Sequence, residues 1–251
     1  MNPKLLGATT IRVLRQVRAD HRSLAMVLLL PLLLLTLLYF MFVNVPVPPG
    51  HATPFDRFGI IMLGILPFTV MFVITSVAML RERRAGTLER LMTTPLSRLG
   101  LLGGYAVAFG LLAVAQTAIT CSFTFWALHL HTVGSRGWIA VIALSVALLG
   151  VALGLLCSAF AQTEFQAVQF LPLVVIPQLF LCGLFVARAE LPGWMQALAN
   201  VMPLSYAVEA LQQVATEASV TSTMIRDLLV VVAIMLVSLA LAAATLRRRT
   251  P

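Results

Sequence analysis

Six runs of about 20 apolar residues follow one another along this chain, and each is long enough to cross a membrane as a helix. A helix rises about 1.5 Å per residue, so about 20 residues cross a hydrocarbon core of about 30 Å, where only helices or closed barrels satisfy the backbone. We therefore predict an all-α, polytopic membrane protein that forms one transmembrane domain over residues 1–251. The six predicted spans are residues 24–43, 58–80, 101–128, 138–161, 167–187 and 228–246.

The composition is that of a chain whose main solvent is lipid. Hydrophobic residues make up 60% of the sequence and charged residues 10%, whereas about 25% of the residues in soluble domains are charged. The three cysteines, Cys121, Cys157 and Cys182, all lie inside apolar runs. They therefore indicate small buried side chains rather than disulfides.

The distribution of positive charge predicts the orientation of the chain. If the N-terminus is cytoplasmic, only Arg57, Arg136, Arg188 and Arg226 of the 17 Lys and Arg residues fall outside. Cytoplasmic loops carry the excess of Lys and Arg in membrane proteins, so we expect both termini to be cytoplasmic. The net charge of +8 then reflects orientation and needs no nucleic-acid partner.

Two segments are predicted to lie at a membrane surface without spanning it. Within residues 1–23, arginines and apolar residues take opposite helical faces, which predicts an interfacial amphipathic helix, with Ile11 as an exception and a basic tail as the alternative. Within residues 188–225, Pro192 can open a short helix at the outer surface. The basic face comprises Arg12, Arg15, Arg18 and Arg22, the apolar face Leu6, Val13, Leu14 and Val17, and the outer helix includes Trp194 and Leu198.

The longest cytoplasmic interruption, residues 81–98, carries helix signals of its own. Gly86 can end the preceding helix, Thr87 can cap a new one, and Pro95 can stop it. An apolar face lies among its charges, which indicates docking on another protein rather than an ordinary solvated loop. This face consists of Leu88, Leu91 and Met92.

Polar and aromatic side chains inside the spans are candidates for a substrate path. Buried polar groups in lipid need a partner or a cavity, so a row of glutamines at helical spacing in the fifth run, beginning at Gln162, can line a path or form bonds between helices. In the second run, two phenylalanines spaced i, i+4 can line an apolar route or pack against neighbouring helices. The candidate path residues are Phe68, Phe72, Gln166, Gln169 and Gln178.

Several chemistries lack the residues that they need. Lys4 is the sole lysine, so the phosphate-loop pattern G-x-x-x-x-G-K-[ST] is absent and any ATP must be bound by another chain. His129 and His131 are too few for a closed metal site. Neither H-E-x-x-H nor G-x-S-x-G occurs. We expect no catalytic residue, metal or cofactor on this chain.

Residues 82–91 read E-R-R-A-G-T-L-E-R-L, and residues 94–97 read T-P-L-S. This run is similar to the pattern E-R-x-x-G-T-L-E-x-L, followed by T-P-L-S, in the permease subunits of ABC type 2 exporters, which include drug-efflux permeases of the daunorubicin-resistance type. Residues 192–211 resemble the region before the last span of that family. The order of helices matches the family across essentially the whole chain.

The resemblance implies that residues 81–98 form a coupling helix in a groove of a separate ABC ATPase, which would bind the ATP and magnesium. It also implies a second permease chain, identical or different, a transport path between the two chains, and short outer re-entrant or interfacial helices that help to close an outer gate. The membrane would be the cytoplasmic (inner) membrane of a bacterium or archaeon. The implied coupling residues are Glu82, Arg83, Arg84, Gly86, Thr87, Leu88, Glu89, Leu91 and Pro95, and the implied gate residues are Trp194, Pro203, Tyr206 and Glu209.

We therefore expect the permease subunit of an ATP-driven exporter that moves an amphipathic or lipid-like compound or drug out of the cell by alternating access. An ion-coupled secondary transporter is the alternative, but it would need ionisable groups inside the membrane, and only Glu164, near the cytoplasmic edge, approaches that role. A membrane scaffold without transport is a second alternative, and it leaves the pattern of residues 81–98 unexplained.

Overall fold

The computed structural model describes residues 3–48, 51–85 and 98–245, and these ranges contain nine α-helices, one 3₁₀ helix and no strand. The predicted all-α class is confirmed. The α-helices are α1 (Pro3–Ala19), α2 (His21–Phe42), α3 (Pro54–Arg84), α4 (Arg98–Trp126), α5 (Arg136–Cys157), α6 (Glu164–Leu181), α7 (Gly193–Val201), α8 (Pro203–Thr216) and α9 (Ser222–Thr245), and the 3₁₀ helix is Arg188–Glu190.

Six of these helices are long and apolar enough to cross a membrane, namely α2, α3, α4, α5, α6 and α9, which confirms the predicted six spans. Helix α3 has 31 residues and is about 46 Å long, well beyond a core of about 30 Å. A capping box fixes its start, because the Thr53 Oγ1 accepts from the Asp56 N–H at 3.0 Å and the Asp56 Oδ2 accepts from the Thr53 N–H at 3.1 Å. The helix is therefore long enough to place its charged last turn outside the hydrocarbon.

Helix α1 occupies most of the predicted amphipathic segment but ends at Ala19. Asp20 lies between the two helices and caps α2, because its Oδ1 accepts from the Ser23 N–H at 3.1 Å. Arg22 consequently lies in α2, so the single basic face predicted from Arg12 to Arg22 is wrong. The apolar side of α1 packs on α4, with Val13 buried.

The ends of the fourth and fifth spans also differ from the prediction. Helix α5 ends at Cys157 rather than at residue 161, and α6 ends at Leu181 rather than at residue 187. Gly183 follows with φ +90°, a left-handed backbone conformation that glycine adopts readily and that ends a helix. Gln162 precedes α6, where its N–H donates to the Gln166 Oε1 at 2.8 Å, so it is not part of a helical row.

The most extensive helix contact in the described part of the chain joins α3 to α5. Gly150 and Gly154 allow this approach: a Cβ atom on Gly154 would lie 2.6 Å from the Phe72 carbonyl oxygen, and one on Gly150 would meet the Phe68 carbonyl oxygen. Small residues four apart let membrane helices approach at backbone distance. The sequence shows this spacing of Gly150 and Gly154, but we did not predict a close helix contact from it.

Candidate functional site

The last turn of α3 contains the first residues of the predicted coupling segment, 81–98, and its Glu82 carboxylate pairs with a neighbouring helix. Glu82 is 5% exposed. The Arg12 guanidinium of α1 donates to it in a two-pronged arrangement, with Nη1 3.3 Å from Oε1 and Nη2 3.3 Å from Oε2. A guanidinium that faces both oxygens of a carboxylate in this way sets the orientation of both groups. They fix α1 to the end of α3.

Tyr105 of α4 joins the same cluster. The Arg12 Nη2 also donates to the Tyr105 hydroxyl, and the guanidinium carbon lies 5.7 Å from the centre of its ring, within the range of a cation–π contact. Close packing of α1 on α4 supports this arrangement. A Cβ atom on Gly104 would lie 2.7 Å from the Thr9 Cβ, and the Thr10 Oγ1 lies 3.3 Å from the Gly104 carbonyl oxygen.

A second ion pair joins the same turn of α3 to the start of α6. The Arg81 Nη2 lies 3.0 Å from the Glu164 Oε2. Both side chains are about half exposed, at 53% and 47%, so the pair contributes about 0–1 kcal/mol and mainly sets position. We name the five residues Arg12, Arg81, Glu82, Tyr105 and Glu164 the α3 junction.

The α3 junction connects three other helices, α1, α4 and α6, to the last turn of α3. Its members lie on α1, α3, α4 and α6, and α4 begins at Arg98, the last residue of the predicted coupling segment.

The predicted coupling residues fall on both sides of the boundary of the described chain. Glu82 is buried in the α3 junction, Arg83 is half-buried and Arg84 is exposed. The other predicted coupling residues, Gly86, Thr87, Leu88, Glu89, Leu91 and Pro95, lie outside the described residues. Their role in coupling stays a prediction.

The predicted path residues do not come together. Phe68 and Phe72 stack with their ring centres 6.4 Å apart and are fully buried where α5 packs on α3. Gln166 and Gln169 are exposed and line an open hollow of about 380 Å³. Gln178 is buried, where its Oε1 accepts from the Leu204 N–H of α8 at 3.3 Å. Only the two exposed glutamines face open space here, and the path role of all five residues stays a prediction.

Three of the four predicted gate residues lie in or beside an ionic cluster at the start of α8. Pro203 is the first, buried residue of α8, and the Tyr206 hydroxyl donates to the Asn200 carbonyl oxygen at 2.7 Å. The Arg188 Nη1 lies 3.0 Å from the Glu209 Oε2 and its guanidinium lies 5.0 Å from the Tyr206 ring. Trp194 on α7 is 68% exposed. The gate function itself stays a prediction.

Helix α9 completes this cluster with residues that the sequence analysis missed. The Arg226 Nη2 lies 3.6 Å from the Glu209 Oε1 and 2.8 Å from the Asp227 Oδ1. Asp227 is fully buried, whereas Glu164 is half exposed. Asp227 is thus another ionisable side chain within a helix long and apolar enough to span a membrane, and the sequence analysis did not single it out. The sequence signal that could have identified Asp227 is its place directly after Arg226, at the start of an apolar run.

His129 and His131 belong neither to the α3 junction nor to the ionic cluster at α8. His131 is anchored through its backbone, whose N–H donates to the Asp56 Oδ1 at 2.8 Å. Within residues 3–48, 51–85 and 98–245, no group of three His, Cys, Asp or Glu side chains is placed to hold a metal ion.

The sequence model of the ABC-2 type transporter family matches residues 4–215, which include the α3 junction, the predicted coupling segment and the start of α8. The chain belongs to the ABC-2 type transporter family. This membership confirms the family predicted from residues 82–97 and 192–211. The matched residues contain five of the six helices that are long and apolar enough to span a membrane.

The curated relatives of this ABC-2 chain include named transport proteins. The probable multidrug ABC transporter permease YbhR of Escherichia coli is 27% identical over 147 residues, which cover 57% of this chain and 39% of the relative. The linearmycin resistance permease LnrN of Bacillus subtilis is 26% identical over 152 residues, or 59% and 39% of the two chains. ABC transporter G family member 20 of Dictyostelium discoideum is 24% identical over 153 residues, or 61% and 21%.

The match covers only part of these relatives. This ABC-2 chain aligns with about two fifths of the two bacterial permeases and about one fifth of the Dictyostelium protein. Both bacterial relatives are named as permeases.

Proposed function

We propose that this chain is the permease subunit of an ATP-driven exporter that moves an amphipathic or lipid-like compound, such as a drug, out of the cell by alternating access. The α3 junction carries the proposal, because it joins three helices to the turn that enters the predicted coupling segment. The names of the relatives support the substrate class, since one is a multidrug permease and another a linearmycin resistance permease.

In this mechanism the chain performs no chemistry and transmits movement. A separate ABC ATPase binds ATP and magnesium, and its closure displaces residues 86–97. The pair between Arg12 and the buried Glu82 makes α1 follow α3, and the Arg81–Glu164 pair passes the displacement to α6. Because α6 carries the exposed glutamines, its displacement would change the surface that meets the substrate.

A second permease chain is part of the proposal. Gln166 and Gln169 are exposed on a helix that is apolar enough to span the membrane, beside the exposed Leu173. Amide groups in hydrocarbon need a partner or a water-filled cavity. A path between two permease chains, identical or different, would supply that environment along α6.

Leu88→Asp tests the coupling role. A charge at the centre of a docking face must be desolvated when the partner binds, which we expect to weaken docking by about 2 kcal/mol, or about thirtyfold. The tagged variant should reach the membrane at the normal level, recover little co-expressed ABC ATPase and lose ATP-dependent export.

Thr93→Asp is the matched control, because it adds the same charge to the same segment outside the apolar face. It should retain the ATPase and export. Full ATPase recovery with full transport in Leu88→Asp would refute the coupling role and remove the main support for the proposed function.

The proposed orientation has both termini in the cytoplasm of a bacterial or archaeal cell, with the chain in the inner membrane. Reporter fusions after Arg136 and Glu217 should be active outside, and fusions after Arg90 and Arg249 should be active inside, because the basic loops stay in the cytoplasm. A cytoplasmic signal after Glu217 would contradict this orientation.

A further inference from the structure

A cavity of about 210 Å³ lies between α1, α2, α3 and α4, beside the α3 junction. Its floor is apolar and is formed by side chains from all four helices. Its rim is polar and charged. The floor includes Val13, Val17, Val27, Ile74, Ala78 and Phe109, and the rim includes Gln16, Asp20, Ser23 and Arg81. Glu82 and Tyr105 also line the cavity, and both are bonded to Arg12.

We propose that this cavity binds one zwitterionic aminophospholipid from the cytoplasmic leaflet, with an acyl chain on the apolar floor, the phosphate at Arg81 and the ammonium group at Asp20. The inference is independent of the ATPase and of the transported compound. It rests on the size, the position and the charges of the cavity.

The size excludes a whole drug-sized molecule. Sites for such ligands have volumes of about 300–1,000 Å³, whereas this cavity holds about 210 Å³. A single acyl chain can enter such a space while the rest of the lipid stays in the bilayer. Met26 lines the cavity and is 61% exposed, so the cavity opens onto the surface of α2.

The exposed surface of α2 continues the cavity toward the membrane centre. Met26, Leu30, Leu33 and Leu37 are all exposed and recur at i, i+4, i+7 and i+11, so they form one apolar stripe along the helix. An acyl chain that leaves the cavity would lie along this stripe. The rim lies where α2 begins and α3 ends, which is the level of the headgroups.

The rim carries both signs of charge that the headgroup requires. Asp20 accepts hydrogen bonds from the Ser23 N–H at 3.1 Å and from the Ser23 hydroxyl at 2.6 Å. These bonds hold the pKa of Asp20 below its ordinary value, so the group is a carboxylate at neutral pH. Arg81 pairs with Glu164 through Nη2 and is 53% exposed, which leaves donor capacity for a phosphate.

The headgroup preference follows from these two groups. A primary ammonium can donate a charge-assisted hydrogen bond to Asp20, whereas the quaternary ammonium of phosphatidylcholine has no N–H to donate. Phosphatidylglycerol would bring its phosphate to Arg81 but offer no cation to Asp20. We therefore expect phosphatidylethanolamine to bind about tenfold more tightly than either of the other two lipids.

Native mass spectrometry of the purified full-length chain, titrated in detergent with the three lipids of matched acyl composition, measures this preference. Asp20→Asn keeps a good helix cap and should abolish the preference for phosphatidylethanolamine while binding persists. Arg81→Gln should weaken the binding of all three lipids. Ala78→Leu should fill the floor and reduce occupancy for all three, whereas Ala115→Leu, on the exposed face of α4, should not.

Equal affinity of the unchanged protein for the three lipids, or tighter binding of phosphatidylglycerol, would overturn the headgroup assignment. Equal loss of lipid in Ala78→Leu and Ala115→Leu would show a general effect on the bilayer-facing surface and overturn the cavity as the site. Because no ATP or ATPase is present, these outcomes do not depend on the proposed export function.

Discussion

Gly154→Ile is expected to remove most of the folded protein, because no side chain fits between α5 and α3 at this position. Even a Cβ atom would lie 2.6 Å from the Phe72 carbonyl oxygen, a backbone atom that can move only with its helix. Overpacking of a well-packed core costs about 1–3 kcal/mol and occasionally more, and isoleucine adds three further carbons at a backbone contact. We expect a loss of about 3 kcal/mol or more, a large part of the about 5–15 kcal/mol that stabilises a typical protein.

The measurement is the monodisperse fraction after solubilisation in mild detergent, together with the thermal midpoint of what remains. Gly154→Ala and Gly110→Ala form a matched pair. A Cβ atom on Gly110 would approach only the flexible Leu148 side chain, at 3.4 Å, so that change should be nearly neutral, whereas Gly154→Ala should lower the midpoint clearly. Equal midpoints for the two alanine variants would contradict the assigned packing of α5 on α3.

Arg12→Met is expected to be far more damaging than Glu82→Met, although both changes remove the same ion pair. The Glu82 side chain is 6% exposed, so without Arg12 its carboxylate stays buried and uncompensated, at a cost of about 3–5 kcal/mol. The Arg12 side chain is 35% exposed and can turn to water when Glu82 is absent. The second variant should therefore lose considerably less stability.

The double variant Arg12→Met/Glu82→Met separates stability from coupling. Replacing both members of an ion pair by apolar groups is often close to neutral, so its thermal midpoint should recover toward that of the unchanged protein. ATP-dependent transport by proteoliposomes containing the permease and its ATPase should stay low, because α1 is no longer linked to α3. Full recovery of transport would show that the pair serves stability alone, and equal effects of the two single variants would contradict the asymmetric burial.

The permease fold follows largely from local properties of the sequence. Hydropathy summed over about 20 residues identifies each span without knowledge of its neighbours, since lipid interacts with every helix in the same way. Local signals also predict the ends of some helices, as Pro192 does for the start of α7. They fail where two signals compete: the apolar run to residue 187 predicts a longer span, but Gly183 in the left-handed conformation follows the end of α6.

The candidate site was only partly accessible from the sequence. The sequence identifies Glu82 by its place in a family pattern, and Gln166 and Gln169 by their spacing. It does not predict which side chains surround these residues. Nothing in the spacing of Arg12 and Glu82, 70 residues apart, indicates that they meet. The amphipathic pattern alone places Arg12 on the basic face of an interfacial helix, whereas in the structure it reaches into the cluster with Tyr105.

The sequence by itself determined the class of the protein, the number of its spans and its family, because these depend on short-range composition and on residues close together in the chain. The tertiary structure decided which side chains meet: Gly154 against Phe72, Arg12 against Glu82, and Asp20 and Arg81 at the rim of one cavity. Such contacts depend on the rotation and depth at which helices pack. Apolar side chains of similar hydropathy permit many rotations, and only close backbone approach and the need to pair buried charges select one.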